Sequence, residues 1–311
     1  MAHLGEILSL IVAFCWTATA LAADEASHRI GAMSVNVIRL LLGSVFLGLI
    51  LWLTTGTPYP AYADGKAWLW LALSALVGYL FGDWCLFNSY LVIGARFGQL
   101  FMTLAPVMAA ISAWALLGET LSLRSILAMA VTLSGIAISI LSRDKDHHIR
   151  STLPLKGILL GIGAGTGQGV GLVLSKIGMQ HYSAAIPPDA PAMMGTMMPF
   201  AATMIRALIG GFSFLLVMTL SRQSHMLRAA LKEKKGMRYT VLTTLFGPVL
   251  GVSLSLMAVR YANAGIASTL MALTPVLIIL PYALIHKQRV RARELIGVAV
   301  SMTGVALFFL L

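Results

Sequence analysis

Charge is scarce in this chain. Lys, Arg, Asp and Glu make up 11% of its 311 residues, against about 25% in an ordinary soluble domain. Apolar residues reach 59% and the mean hydropathy is +0.88, so most of the surface must meet lipid rather than water. Cysteine is nearly absent. Cys15 and Cys85 both fall in apolar stretches, which suits small buried hydrophobes and argues against a disulfide. No phosphate-binding loop of the Walker type occurs, so ATP-driven pumping is excluded and any driving force must be a gradient or exchange. An enzyme working on lipid-linked substrates would need a clustered nucleophile, base or metal set near one interface. None is evident, so no catalytic residue, metal or cofactor is expected. The net charge of +11 does not point to nucleic acid, because the Lys and Arg sit in short loops between apolar stretches.

What the chain does have is an internal duplication. Residues 78–139 align without a gap onto 247–308, at an offset of 169. Gly78 falls on Gly247, Gly82 on Gly251, Ala95 on Ala264, Leu104 on Leu273, Pro106 on Pro275, Arg124 on Arg293 and Gly135 on Gly304. Upstream, Gly5 matches Gly157 and Ile38-Arg39 matches Ile205-Arg206 at shorter offsets. A doubled hydrophobic unit is the mark of an internally symmetric transporter. The organisation is a first repeat at 1–142, a cytoplasmic linker at 143–154 and a second repeat at 155–311.

A membrane helix needs about 20 mostly apolar residues. Ten stretches qualify: 4–22, 33–55, 67–88, 92–117, 122–142, 155–178, 199–220, 239–259, 262–286 and 293–311. Ala20-Leu21-Ala22 before Ala23-Asp24-Glu25 resembles a signal-peptidase site. The residues ahead of it carry no Lys or Arg, so the segment is kept as a membrane helix. Five spans per repeat is an odd number, which turns the second copy upside down. The charges agree with that inference. Odd loops hold Arg29, then Arg143, Lys145, Arg150 and Lys156, then six basic residues from Arg222 to Arg238, then Lys287, Arg289, Arg291 and Arg293. Even loops hold only Lys66, Arg124, Lys176 and Arg260. Odd loops are therefore expected in the cytoplasm and both termini outside it.

Leu104-Ala105-Pro106, then Leu116-Leu117-Gly118-Glu119-Thr120-Leu121, then Ser134-Gly135 resemble the signature of the EamA family, within the drug/metabolite transporter superfamily. The second copy runs from Leu273-Thr274-Pro275 to Thr303-Gly304 but has Lys287-Gln288 in place of Gly-Glu. Arg39 and Arg206 match the Arg usual in the second helix of each unit. The resemblance covers essentially the whole chain. It implies an all-α integral membrane protein, ten helices in two inverted five-helix repeats around a central cavity. It also implies alternating-access transport of amino acids, sugars, nucleotide derivatives or other metabolites. The loop from about 179 to 198 has no counterpart in the first repeat.

Asp83 is the first candidate site residue, since its repeat equivalent is Val252. A carboxylate inside a membrane costs about 2.5–3.5 kcal/mol and normally faces a cavity or a partner. There it would carry a proton or balance a cationic substrate; the plainer alternatives are an ion pair with Arg39 or simple exposure near the end of the span. Trp16 and Trp84 align with Gln168 and Ser253, and with Tyr79, Phe87 and Tyr282 they would form an aromatic wall near Asp83, unless they merely pack. Gln99 and Thr103 share one helix face, and Ser268 matches Gln99. These polar groups suit a hydrogen-bonding site or a helix–helix bond. The duplicated Arg39 and Arg206 suit architecture first and an anionic substrate second. Pro106 and Pro275 are expected to kink their helices. Gly161, Gly165 and Gly169, and separately Gly163, Gly167 and Gly171, form two close-packing ridges, from which Gln168 projects. Met193, Met194, Met197 and Met198 are expected in an outer loop, and His147-His148 in solvent.

The expected activity is secondary transport of small polar metabolites, amino acids or related amines foremost. The alternative on the same fold is a carrier or flippase of a lipid-linked molecule. The expected partners are a small-molecule substrate and membrane lipids, not nucleic acid, with a monomer or homodimer in a bacterial plasma (inner) membrane.

Overall fold

The computed structural model describes residues 3–141, 154–277 and 292–310. Every regular element among them is a helix. Gly31 alone, at φ 81°, turns the chain from α1 (Leu4–Ile30) into α2 (Ala32–Thr55), a left-handed conformation that glycine adopts without strain. Asp64 starts α3 (Gly65–Ala75) by accepting the Ala67 N–H at 2.7 Å. That helix runs on through a π-helical stretch, π1 (Leu76–Asp83), into α4 (Trp84–Phe101). Then come α5 (Leu104–Leu117), α6 (Leu123–Leu141), α7 (Leu155–Ala185) and α8 (Ala192–Leu220). A short α9 (Ser224–Ala230) precedes α10 (Lys234–Thr244), which leads through π2 (Leu245–Val252) into α11 (Ser253–Tyr261). The described chain ends with α12 (Ala264–Met271), α13 (Thr274–Leu277) and α14 (Ala292–Leu310).

Seven of the described helical runs are long and apolar enough to cross a membrane, and two shorter apolar helices, Leu104–Leu117 and Leu123–Ser139, accompany them. Their outward faces carry side chains such as Phe14, Val45, Trp114, Leu159 and Phe212. Water disfavours such a surface and hydrocarbon accepts it, because each helix satisfies its own backbone. The chain is an integral membrane protein.

The duplication reaches the backbone. The two π-helices, Leu76–Asp83 and Leu245–Val252, start 169 residues apart, at equivalent positions. π-Helical turns concentrate at functional positions. In π2 Pro248 withholds an N–H from regular α-helical bonding. The helices α6 and α14, also equivalent, pack antiparallel with reciprocal contacts. Gly135 lies against Ser301 and Gly304 against Thr132, while Ser301 Oγ donates to the Thr132 carbonyl at 3.4 Å across 169 residues. Without a Cβ at Gly135, Gly297 and Gly304 the two backbones come together.

Several sequence expectations need correction. The expected break near 89–91 is absent, and α4 continues to Phe101, with the turn at 102–103. The second copy does break, at 262–263, the equivalent of 93–94. Its Asn263 side chain accepts the Gly265 N–H at 3.0 Å to open α12, whereas the equivalent residue is Gly94, which has no cap to offer. The expected loop from 179 to 198 is mostly helix, because α7 extends to Ala185 and α8 starts at Ala192. Met193 to Met198 therefore lie in the first two turns of α8, and Met198 is buried. Arg29, expected in a loop, ends α1 and pairs with Glu25 at 2.6 Å; Lys176 lies within α7. His147-His148 and Tyr282 lie outside the described residues.

Two compact units organise the described chain, and each draws on both repeats. One holds Met1–Phe14, Phe81–Val170 and Ala258–Leu311; the other holds Cys15–Leu80 and Gly171–Met257. In the first, Leu270, Leu273, Val276, Ile136, Val305 and Ala13 form the core. In the second, Leu40, Tyr79, Phe214 and Met218 do so.

The Gly118-Glu119 pair has a physical task. Gly118, at φ 66°, closes α5, with its N–H on the Trp114 carbonyl. Glu119 Oε2 accepts the Ala264 N–H at 3.0 Å, placing a negative group at the start of α12. Glu119→Ala is expected to cost about 1 kcal/mol, read as a lower Tm of the purified protein in detergent. Glu119→Gln should lose less, because an acceptor remains.

Candidate functional site

The two π-helices are each packed by the first helix of the opposite repeat. In the first unit, Asp83 ends π1 and is 6% exposed. Its Oδ1 accepts a 2.7 Å hydrogen bond from Gln168 Nε2 on α7. In the second unit, the equivalent of Gln168, Trp16 on α1, lies over Gly251 of π2, where a Cβ would come within 2.9 Å of the indole. The two copies thus differ: Gln168 bonds Asp83 in one, and in the other Trp16 lies on Gly251, the equivalent of the neighbouring Gly82. The pair offers a carboxylate and an amide, chemistry that binds an ammonium group or a proton.

Glycine sets how close α7 comes. In the first unit, Gly161 and Gly165 face Phe101 and Leu104, and Gly169 faces Ala105 and Ala109, so one ridge meets the α4–α5 turn. Gly163 instead meets Phe81 and Cys85. In the second unit, Gly171 meets Gly78 of π1 and Gly178 meets Leu71. The two ridges read from sequence serve different neighbours. A side chain at Gly169 would strike the Ala105 carbonyl, so the helix carrying Gln168 fits there only because it is smooth.

The prolines follow shortly after a break, by three residues in the first copy and two in the second. The turn at 102–103 precedes Pro106 and that at 272–273 precedes Pro275. Pro106 leaves the Met102 carbonyl without its helical donor, and the Ala105 N–H takes it at 3.0 Å. Pro275 does the same to Met271, whose carbonyl accepts from Thr274 Oγ1 at 3.1 Å. Thr103 lies in the first of these turns, partly exposed. Ser268 is buried in α12. Gln99 lies on α4, and its side chain, like that of Pro275, is outside the described residues.

The aromatic candidates have separate placements. Trp84 follows Asp83 in the chain but is 43% exposed. Tyr79 is buried in the second unit, with the Arg206 guanidinium 4.7 Å from its ring centroid. Arg39 Nε donates to Asn36 Oδ1 at 2.8 Å. Sequence reading passed over Glu294, which is buried in the first turn of α14. Its position among Arg291 and Arg293 disguised it as a loop charge. The signal available was that its repeat equivalent, Ser125, is uncharged.

Known proteins agree with this architecture. The "Uncharacterized inner membrane transporter YhbE" of Escherichia coli (strain K12) is 26% identical over 166 residues, which is 53% of this chain and 51% of that protein. The protein of the same name in Shigella flexneri matches to the same extent. The chain thus spans about half the length of the curated relatives it matches. A solved crystal structure superposes at a TM-score of 0.71 with 15% identity, over 98% of this chain and 96% of that one, a likeness of fold. The model of the EamA-like transporter family matches residues 3–141 and again 155–310. This chain belongs to the EamA-like transporter family, within the drug/metabolite transporter superfamily.

Proposed function

We propose that this chain is a secondary transporter of small polar metabolites, amines and amino acids foremost, working by alternating access between two inverted five-helix repeats. The observation that carries the reading is Asp83, a buried carboxylate at the end of a π-helix, held by a glutamine from the other repeat. Intramembrane carboxylates are retained for ions, protons or substrates because they are costly otherwise. The antiparallel, reciprocal packing of α6 and α14 supports inversion, since equivalent helices of inverted copies must run in opposite directions. The charge bias of the loops supports both termini outside the cytoplasm, in a bacterial inner membrane. A monomer or homodimer fits this reading.

A second reading is a carrier of a lipid-linked molecule. It is supported by an apolar groove of about 530 Å³ on α2 and α8, lined by Leu41, Val45, Leu49, Trp52 and Leu208. One screen separates the two. Purified protein is heated with amino acids, amines or lipid-linked sugars at two pH values, because a ligand of the native state raises Tm with its concentration. Amines and amino acids are expected to raise Tm. Stabilisation by lipid-linked compounds alone would move the function to the second reading.

A further inference from the structure

Duplication lets one arginine serve as the control for the other. Arg39 and Arg206 occupy the same place in α2 and α8, yet their surroundings differ. Arg39 Nε is satisfied one turn back by Asn36. The residue in that place in α8 is Thr203, whose hydroxyl donates to the Pro199 carbonyl at 2.8 Å instead. Arg206 is 4% exposed, and its Nε finds no hydrogen-bond acceptor among the described residues. What it has is a platform. Its guanidinium lies over the Tyr79 ring, and the equivalent of Tyr79 in π2 is Pro248, which offers no such face.

A buried guanidinium with an unmet donor is costly. The Tyr79 ring engages the cation, while Nε, buried and in the plane of the guanidinium fork, is left without an acceptor. That fork matches two oxygens of a planar anion. We infer that Arg206, stacked on Tyr79, forms a binding site for the carboxylate group of a small metabolite. The exchange of Asn for Thr at 203 frees the arginine, and the exchange of Pro for Tyr at 79 orients it. The duplicated Arg39 stays structural. The site lies within the second unit and does not involve Asp83. The proposal rests on the reading of the chain as a transporter of small metabolites, but its test stands apart from that of Asp83.

The test uses the full-length protein in detergent at constant ionic strength, with acetate and succinate as probes and inorganic phosphate for comparison. Carboxylates should raise Tm with concentration in the wild type. Arg206→Gln should bind them about tenfold or more weakly, the size expected for losing a charge-assisted pair. Thr203→Asn restores the acceptor that Arg39 enjoys. It should leave the protein folded and at least as stable while weakening the carboxylate response, so it decides the matter even if Arg206→Gln does not fold. Asp83→Asn should keep the response, which separates this site from the coupling site. An unchanged carboxylate response in Thr203→Asn overturns the assignment, as does a wild type that ignores carboxylates. A response to phosphate alone overturns the carboxylate class.

Discussion

Asp83→Asn is expected to leave a folded protein whose transport no longer varies with pH and falls at least about tenfold at neutral pH. The substitution is nearly isosteric, and Asn keeps an Oδ1 to accept the 2.7 Å bond from Gln168. What disappears is the ability to hold a negative charge or to take up a proton, so the folded state should lose little. A change of tenfold in rate corresponds to about 1.4 kcal/mol, a modest fraction of what a buried, unpaired ammonium would lose with its counter-charge. The measurement is uptake or counterflow of the best-stabilising amine in proteoliposomes between pH 5.5 and 8. Undiminished transport with an unaltered pH profile would remove Asp83 from the mechanism. Gln168→Leu is the companion. It keeps the carboxylate and removes its donor, so it should change the pH profile without abolishing transport.

The largest stability effect is expected at the contact of α6 with α14. A side chain at Gly135 would run into the backbone N–H of Ser301 and the carbonyl of Gly297, and backbone atoms cannot rotate away as a side chain can. Gly135→Val should therefore cost about 3 kcal/mol or more, the upper range for overpacking. The gain in helix propensity offsets less than about 1 kcal/mol. Gly304→Val should behave alike, because it meets the Thr132 backbone in the reciprocal position. Gly65→Ala and Gly195→Ala are controls, as a Cβ there meets nothing within 4 Å. Thermal unfolding in detergent reads all four. A wild-type Tm for Gly135→Val would mean that the two helices do not pack backbone to backbone.

The sequence alone determined the helical class, the membrane setting, the family and the duplication. Each rests on composition, hydrophobic length or spacing along the chain, and needs no knowledge of neighbours. The two roles of the glycine run were also legible, because helical periodicity assigns Gly161 and Gly163 to different faces. Turn positions were less so. The continuity of α4 through 89–91 and the length of α7 and α8 follow from the absence of a cap, a weaker signal than the presence of Gly31 or Asn263. Only the tertiary structure decided the pairings. Gln168 and Asp83 are 85 residues apart in the chain, and Arg206 and Tyr79 lie still further apart. The paired π-helices were equally invisible, since Gly78, Gly82, Gly247 and Gly251 read as ordinary small residues. The reason is physical: partner choice for a buried polar group is set by which helices meet, and in lipid all apolar faces look alike to a sequence pattern.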